Sequence, residues 1–183
     1  MKAKHLVALL GMTLPFSSWA LNLNTGEQAP EVSVTSHGEV MVAQDDITYH
    51  NWNSASMVGK TRVIQAIAGR SAAKALNKPM IDAIIEADFP QDKYQTTTIV
   101  NQDDSVWGTG SFVKSSAEDS KREFPHSSIV LDEDGAVAKA WALEPKTSMI
   151  AVQDKDGNIL WAKEGELTST EVQQVITLLK ENL

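Results

Sequence analysis

Cysteine is absent from the 183 residues of this chain, and aromatic residues make up only 6% of it. Without cysteine the chain has no disulfide bond, no thiol nucleophile and no thiolate ligand for zinc or an iron–sulfur cluster. Basic residues are also in deficit, with 16 Lys and Arg against 24 Asp and Glu and a net charge of −8. This balance argues against a nucleic acid as the partner, because phosphate-backbone binding needs clustered Lys and Arg.

Residues 1–20 have the pattern of a secretory signal peptide. Lys2 and Lys4 form a basic start, residues 6–14 form an apolar run, and Ser18 and Ala20 are small residues at the −3 and −1 positions. The apolar run is shorter than the roughly 20 residues that span a bilayer. We therefore predict cleavage after Ala20, no lipid anchor, a periplasmic location, and a single domain over residues 21–183.

Residues 21–183 alternate between strand-like and helix-like patterns. Glu31–Thr35 and Val40–Ala43 flank Ser36-His37-Gly38, a pattern that predicts a β-hairpin with its turn at these three residues. The β-branched apolar run Thr61–Ala68 predicts a buried central strand. The other predicted elements, in chain order, are a strand at Ile47–His50, a strand at Tyr94–Val100, a polar helix at Ser111–Phe124, a strand at Ser128–Leu131, a hairpin formed by Met149–Val152 and Ile159–Ala162, and a last amphipathic helix after a capping box at Thr168 and Glu171.

Between the strands predicted at Thr61–Ala68 and Tyr94–Val100, one helix is expected from Ser71 to about Ala87. Ser71 follows Gly69 and is a suitable N-cap residue, and Pro79 inside the segment should kink the helix. Strand–helix–strand units followed by a hairpin and a helix predict an α/β fold, with a mixed central sheet, helices on both faces and an N-terminal β-hairpin extension.

The pattern resembles the thioredoxin superfamily, in particular its thiol peroxidases and exported thiol–disulfide proteins. The opening residues 26–30 (GEQAP) and the turn before the first buried strand are similar to that group. Ser71 and Lys74 fall at the two positions of its Cys-x-x-Cys motif, and Pro79 falls eight residues after the first. Ser148 occupies the place of its cis-proline. With both cysteines missing, no thiol–disulfide oxidoreductase or thiol peroxidase activity is expected.

A more specific resemblance covers nearly all of residues 21–183. The phrases at residues 52–55 (WNSA), 67–70 (IAGR), 94–101 (YQTTTIVN) and 154–157 (DKDG) are similar to the YtfJ family of small bacterial periplasmic proteins. This resemblance implies an exported, thioredoxin-like protein of uncharacterised activity, and it supplies no catalytic residues.

The turn at Arg70, Ser71 and Lys74 is the first candidate binding site. The free N–H groups of a helix start next to a basic residue suit an anion, although a capped helix start with a solvated arginine explains the same residues. Ser71 and Lys74 also match the S-x-x-K spacing of serine acyl enzymes, in which the lysine must be desolvated. Ser111 and Lys114 repeat that spacing, so the pattern has low specificity.

Two further features leave alternatives open. Trp107 lies in a flexible polar loop, where an exposed ring would anchor an interface and a ring folded onto the core would be structural. His37, His50 and His126 are scattered, so a metal site would require the fold to bring them together with carboxylates.

The function expected from the sequence is a non-redox binding or accessory protein that needs no cofactor and no metal. Its surface would comprise Arg70, Ser71, Lys74, Trp107 and Ser148, and its partner would be a periplasmic protein or peptide. The alternatives are a thiol-independent enzyme, through Ser71 and Lys74 acyl chemistry or metal-assisted hydrolysis, and a regulator of another exported protein. The sequence leaves the oligomeric state open.

Overall fold

The computed structural model describes residues 21–44 and 46–183. The predicted signal peptide therefore lies outside the described residues. The elements, in chain order, are β1 (Ser33–Ala43), β2 (Asp46–Asn53), a 3-10 turn (Ser54–Met57), β3 (Thr61–Ala68), α1 (Ser71–Leu76), α2 (Lys78–Ala87), β4 (Tyr94–Asn101), α3 (Gly110–Glu123), β5 (Ser128–Asp132), α4 (Ala136–Ala140), β6 (Ser148–Gln153), β7 (Ile159–Glu164) and α5 (Ser169–Glu181).

The strands form one mixed sheet in the order β2-β1-β5-β4-β3-β6-β7. Strands β3, β4 and β5 are parallel, and the remaining pairs are antiparallel. Strand β3, which the sequence predicts as a buried central strand, has the predicted bounds and lies inside the sheet. The α/β fold with a mixed sheet and an N-terminal hairpin is confirmed.

The prediction of a hairpin turn at Ser36-His37-Gly38 is wrong. These residues lie within one long strand, β1, as a bulge that changes its register against β2. His37 and Gly38 both have positive φ, and a Cβ at Gly38 would lie 2.2 Å from the carbonyl oxygen of His50. Glycine is therefore required there by a bulge, which uses the same residue type as a turn.

The helix expected from Ser71 to Ala87 is divided in two. α1 ends at Leu76 and α2 begins at Lys78, which places Pro79 in the first turn of α2, where its missing N–H costs no intrahelical bond. The prediction of one helix kinked at an internal Pro79 is therefore wrong, because the chain leaves the helix at Asn77, two residues before the proline. Ser71 is not the N-cap, because Arg70 occupies that position. The side chain of Arg70 makes no capping hydrogen bond to the backbone of α1.

The core is divided between the two faces of the sheet. On one face, side chains of Ile64, Ile99 and Val130 pack with Trp141 and with α4 through Val137. The other face carries two separate clusters. One joins α2 and α5 to β3 and β6, and the other joins α3 to β4 and β5. Helices thus lie on both faces, and the gap between the two clusters positions the candidate site.

None of the helices in the described part of the chain combines the length and the apolar composition needed to cross a membrane.

Candidate functional site

A groove of about 630 Å³ opens between α1–α2 on one side and α3 on the other. Three of the residues singled out from the sequence, Arg70, Ser71 and Lys74, lie on its rim where α1 begins. The volume lies within the range of about 300–1,000 Å³ that is usual for ligand sites. The fold therefore gathers these three residues at one cavity.

The floor of this groove combines apolar side chains of the sheet with several polar ones. Gln65 of β3 and Thr96 and Thr98 of β4 face into it, because alternate residues of neighbouring strands point to the same side. Gln65 Nε2 donates a hydrogen bond to Thr98 Oγ1 at 2.7 Å, and the Asn77 amide donates to Gln65 at 3.3 Å. An apolar groove with a few convergent polar groups is the usual form of a binding site.

The guanidinium of Arg70 is already paired. It lies 3.0 Å from Asp104 Oδ1, and the same carboxylate accepts a hydrogen bond from the backbone N–H of Lys146. Asp104 thus ties the start of α1 to the loop before β6. Since Arg70 has a carboxylate partner and α1 has only six residues, the arrangement does not favour an anion at this helix start.

Ser71 and Lys74 are both exposed. Lys74 Nζ reaches across the groove to Ser116 Oγ of α3, at 3.5 Å. Acyl transfer by a serine–lysine pair needs a lysine that is desolvated, and this lysine is open to solvent. The geometry therefore gives the S-x-x-K spacing no support as a catalytic pair.

Large apolar side chains at the groove and next to it are wholly or partly exposed. Trp107 is 98% exposed, Phe112 is 75% exposed and Phe124 is 39% exposed. Phe112 and Phe124 line the groove together with the half-exposed Val106, whereas Trp107 projects beyond it. Of the two alternatives for Trp107, the structure has the exposed ring. Exposed apolar patches of this kind mark interaction sites.

Ser148 lies elsewhere. It is 2% exposed at the start of β6, and its Oγ has no hydrogen-bond partner in the described chain. It belongs to the lining of a second cavity of about 310 Å³ at the carboxyl ends of β3, β4 and β5. The loop before it is tied to other parts of the chain, since Thr147 O accepts a hydrogen bond from Ala68 N and Lys146 N donates one to Asp104. Ser148 is therefore not part of the exposed rim.

Carboxylates surround that second cavity. Burial raises the pKa of Asp132, although its oxygens accept hydrogen bonds from the N–H groups of Ala136 and Val137 at the start of α4. Burial also raises the pKa of Glu164, which accepts from the N–H of Glu144. Through these hydrogen bonds Asp132 holds the start of α4 and Glu164 holds the backbone at Glu144, so both carboxylates have structural roles.

Histidines and carboxylates do not assemble into a metal centre in the part of the chain that the structure describes. No group of three or more such side chains lies close enough to hold an ion there. His37 instead pairs with Glu133 at 3.0 Å.

Several residues at the groove or paired with its rim were not part of the binding surface predicted from the sequence. Asp104 lies 34 residues from Arg70, and no short-range pattern connects the two. Phe112 lies in the segment predicted as a polar helix, and its side chain is largely exposed beside the groove. The one available signal was the threonine repeat of β4, since Thr96 and Thr98 are polar residues in a strand at the centre of the sheet.

Fold and site together define a thioredoxin-like protein without thiols and with a groove on one face of the sheet. The thioredoxin domain of a thiol-disulfide oxidoreductase from Bacteroides vulgatus is similar to it, with a TM-score of 0.55 and 13% identity. That similarity covers 88% of this chain and 99% of that domain. At this identity the likeness concerns the fold alone.

Residues 23–182 match the model of a family described as "Bacterial protein of unknown function (YtfJ_HI0045)". The uncharacterized protein YtfJ of Escherichia coli K12 is 45% identical over 183 residues, which cover all of both chains. An uncharacterized protein of Haemophilus influenzae is 44% identical, covering 98% of this chain and 97% of that protein. The chain belongs to the YtfJ family.

Proposed function

We propose that this protein is an exported, non-redox binding protein that holds an extended segment of a partner polypeptide in the groove between α1–α2 and α3. The observation that supports the proposal most strongly is the 98% exposed ring of Trp107 beside that groove. Aromatic side chains of this kind anchor protein–protein contacts. We propose that the protein acts in the periplasm, because residues 1–20 have the pattern of a signal peptide.

The size of the apolar surface favours a polypeptide over a small molecule. A ligand confined to the groove would leave Trp107 in water, because this ring lies outside the cavity. Only a partner that extends beyond the cavity covers the groove and the ring together. The segment from Ser105 to Gly110 that carries the ring has no charged residue, so covering it desolvates no ion.

The segment would lie on the face of the sheet and not at its edge. β3 and β4 are both flanked by neighbouring strands, so their backbone groups are engaged in the sheet. Recognition in the groove therefore depends on side chains such as Gln65 and Thr98. This differs from strand addition, in which backbone hydrogen bonds supply the affinity.

Neither enzymatic alternative has a supporting observation. The exposed Lys74 does not suit acyl chemistry, and the described residues form no metal centre. Regulation of another exported protein uses the same binding step, so it differs from the proposal only in its consequence.

In-cell photo-crosslinking tests the proposal. A photo-reactive residue at position 107 should give discrete adducts with a partner polypeptide. The matched control position is Lys180, which is exposed on α5 away from the groove. Filling the groove with Ala75→Trp, an exposed position of α1 in its wall, should abolish the adducts.

Two results would contradict the proposal. One is a set of adducts from position 107 that persists unchanged in the Ala75→Trp protein. The other is the same set from position 180. A circular dichroism melt of the Ala75→Trp protein checks that the variant is folded.

A further inference from the structure

The cations along the groove differ in their partners. Arg70 lies 3.0 Å from Asp104, and Lys78 lies 2.6 Å from Asp82. Lys74 has no carboxylate within 4.0 Å in the described part of the chain. Its ammonium is thus the groove cation whose charge is not balanced by a neighbouring side chain.

The present contact of Lys74 is weak. Its Nζ lies 3.5 Å from the neutral Ser116 Oγ, which is long for a hydrogen bond, and the side chain is exposed. A charge-assisted bond to a carboxylate is shorter and about twice as strong. The ammonium therefore gains by exchanging Ser116 for a carboxylate, and its flexible four-carbon stem makes that movement easy.

Lys74 and the apolar lining lie at different depths. The ammonium is at the rim, between α1 and α3, whereas Ile67 and Val100 lie on the floor of the groove. In an extended chain successive side chains point to opposite sides. A segment that directs apolar residues to the floor therefore presents the residue between them to the rim, where Lys74 lies.

We infer that the segment held in the groove is acidic at its centre, with an Asp or Glu between apolar residues, and that this carboxylate pairs with Lys74. The inference rests on the proposed function and adds the chemistry of the partner. The protein has a net charge of −8, so an acidic segment is repelled by most of its surface. Lys74 is then the feature that admits such a segment at this groove.

The far end of the groove has the opposite sign. Glu123 lines it at the last turn of α3, next to Phe124. A second acidic residue there would face a like charge. The carboxylate of the segment is thus expected near Lys74 and not at the Glu123 end.

Selection from a library of random heptapeptides displayed on phage tests the inference. The library is selected separately on the wild-type protein, Lys74→Glu, Ala75→Trp and the control Lys180→Glu. We expect peptides with Asp or Glu between apolar residues from the wild type and from Lys180→Glu, and Lys or Arg in that place from Lys74→Glu.

A single peptide then gives the magnitude. A recovered peptide should bind the wild-type protein about fivefold more tightly than its Glu-to-Gln or Asp-to-Asn analogue in fluorescence polarisation, the upper end for a solvent-accessible ion pair. The difference should disappear in Lys74→Ala.

The outcomes separate the inference from the proposed function. Peptides that are lost in Ala75→Trp but keep the same charge in Lys74→Glu overturn the acidic centre and leave the groove as the binding site. Peptides that are recovered equally from Ala75→Trp, or no enrichment on the wild type, overturn both.

Discussion

Two halves of the same sheet face are built differently. Over β3 and β6, the side chains of Val63, Ile150 and Val152 are fully buried beneath α2 and α5. Over β3 and β4, Gln65 and Thr98 face an open groove. The covered half is apolar and closed, whereas the uncovered half is open and combines polar with apolar side chains.

This difference distinguishes side chains that stabilise the fold from side chains that the fold does not require. Closing the sheet against a helix requires apolar side chains, and the covered half supplies them. Thr98 is half-buried, and its hydroxyl accepts a hydrogen bond from Gln65. Under the proposed function, this polar side chain serves binding more than stability. Variants of the two halves should separate stability from binding.

The largest effect on stability is expected in the covered half. Ile150→Ala removes a side chain that is fully buried between β6, α2 and α5, which should lower the free energy of unfolding by about 3 kcal/mol. Urea unfolding measures this change. The matched variant Ile85→Ala, at a half-exposed position of α2, should change it by less than about 0.5 kcal/mol. Equal effects of the two variants would mean that α2 does not close this half.

A neighbouring pair of threonines contrasts the two faces directly. Thr97 is buried on the opposite face and accepts a hydrogen bond from the buried Arg62 guanidinium at 3.0 Å. Thr97→Val should cost about 2 kcal/mol, because a bond to a charged group is lost. Thr98→Val should cost at most about 1 kcal/mol and should weaken peptide binding instead. Urea unfolding and fluorescence polarisation together check the pair, and a reversal of either order would break the comparison.

Acid should loosen the covered half through the start of α5. Hydrogen bonds from Lys163 Nζ, and then from Thr168, lower the pKa of Glu171 from its ordinary value of 4.5 to about 2. The ionised carboxylate therefore stabilises the fold fully above pH 4.5, and this contribution is lost as the pH falls towards 2.

The Glu171→Gln variant measures that contribution. Its free energy of unfolding in urea should be below that of the wild type at pH 7, and the two values should converge between pH 4.5 and pH 2. The control Glu181→Gln, at an exposed position of the last turn of α5, should show no such convergence. A gap that is constant over this range would rule out the Glu171 carboxylate as its cause.

The smallest effect on stability is expected at Trp107, beside the groove. Trp107→Ala removes a ring that is 98% exposed, so the free energy of unfolding should change by less than about 0.5 kcal/mol. Peptide binding should nevertheless weaken about tenfold, as is typical of an aromatic anchor. A variant that loses stability but keeps its affinity would make Trp107 a structural residue.

Local signals in the sequence predicted most of the fold. The β-branched run gave β3 its bounds, and the capping box at Thr168 and Glu171 marked the start of α5. The error at His37 and Gly38 has a physical cause, since a glycine with positive φ serves a turn and a bulge alike.

The candidate site was less accessible to sequence reasoning. Arg70, Ser71 and Lys74 are adjacent in the chain, so the rim of α1 was visible as a cluster. The pairing of Arg70 with Asp104 depends on tertiary structure and removes the charge that had suggested an anion. The groove itself exists because α2 and α3 stand apart over β4, and sequence periodicity carries no information on that separation.

In the proposed function, the open half of the sheet face receives a peptide segment. Methyl NMR tests it most directly, by titrating the protein with a heptapeptide that has apolar residues at alternate positions and one central glutamate. The isoleucine methyls of Ile67 and Ile81, which line the groove, should shift in proportion to the bound fraction. Those of Ile64 and Ile99, packed on the opposite face, should stay in place. Shifts confined to Ile64 and Ile99, or no shift at any of the four, would contradict the account.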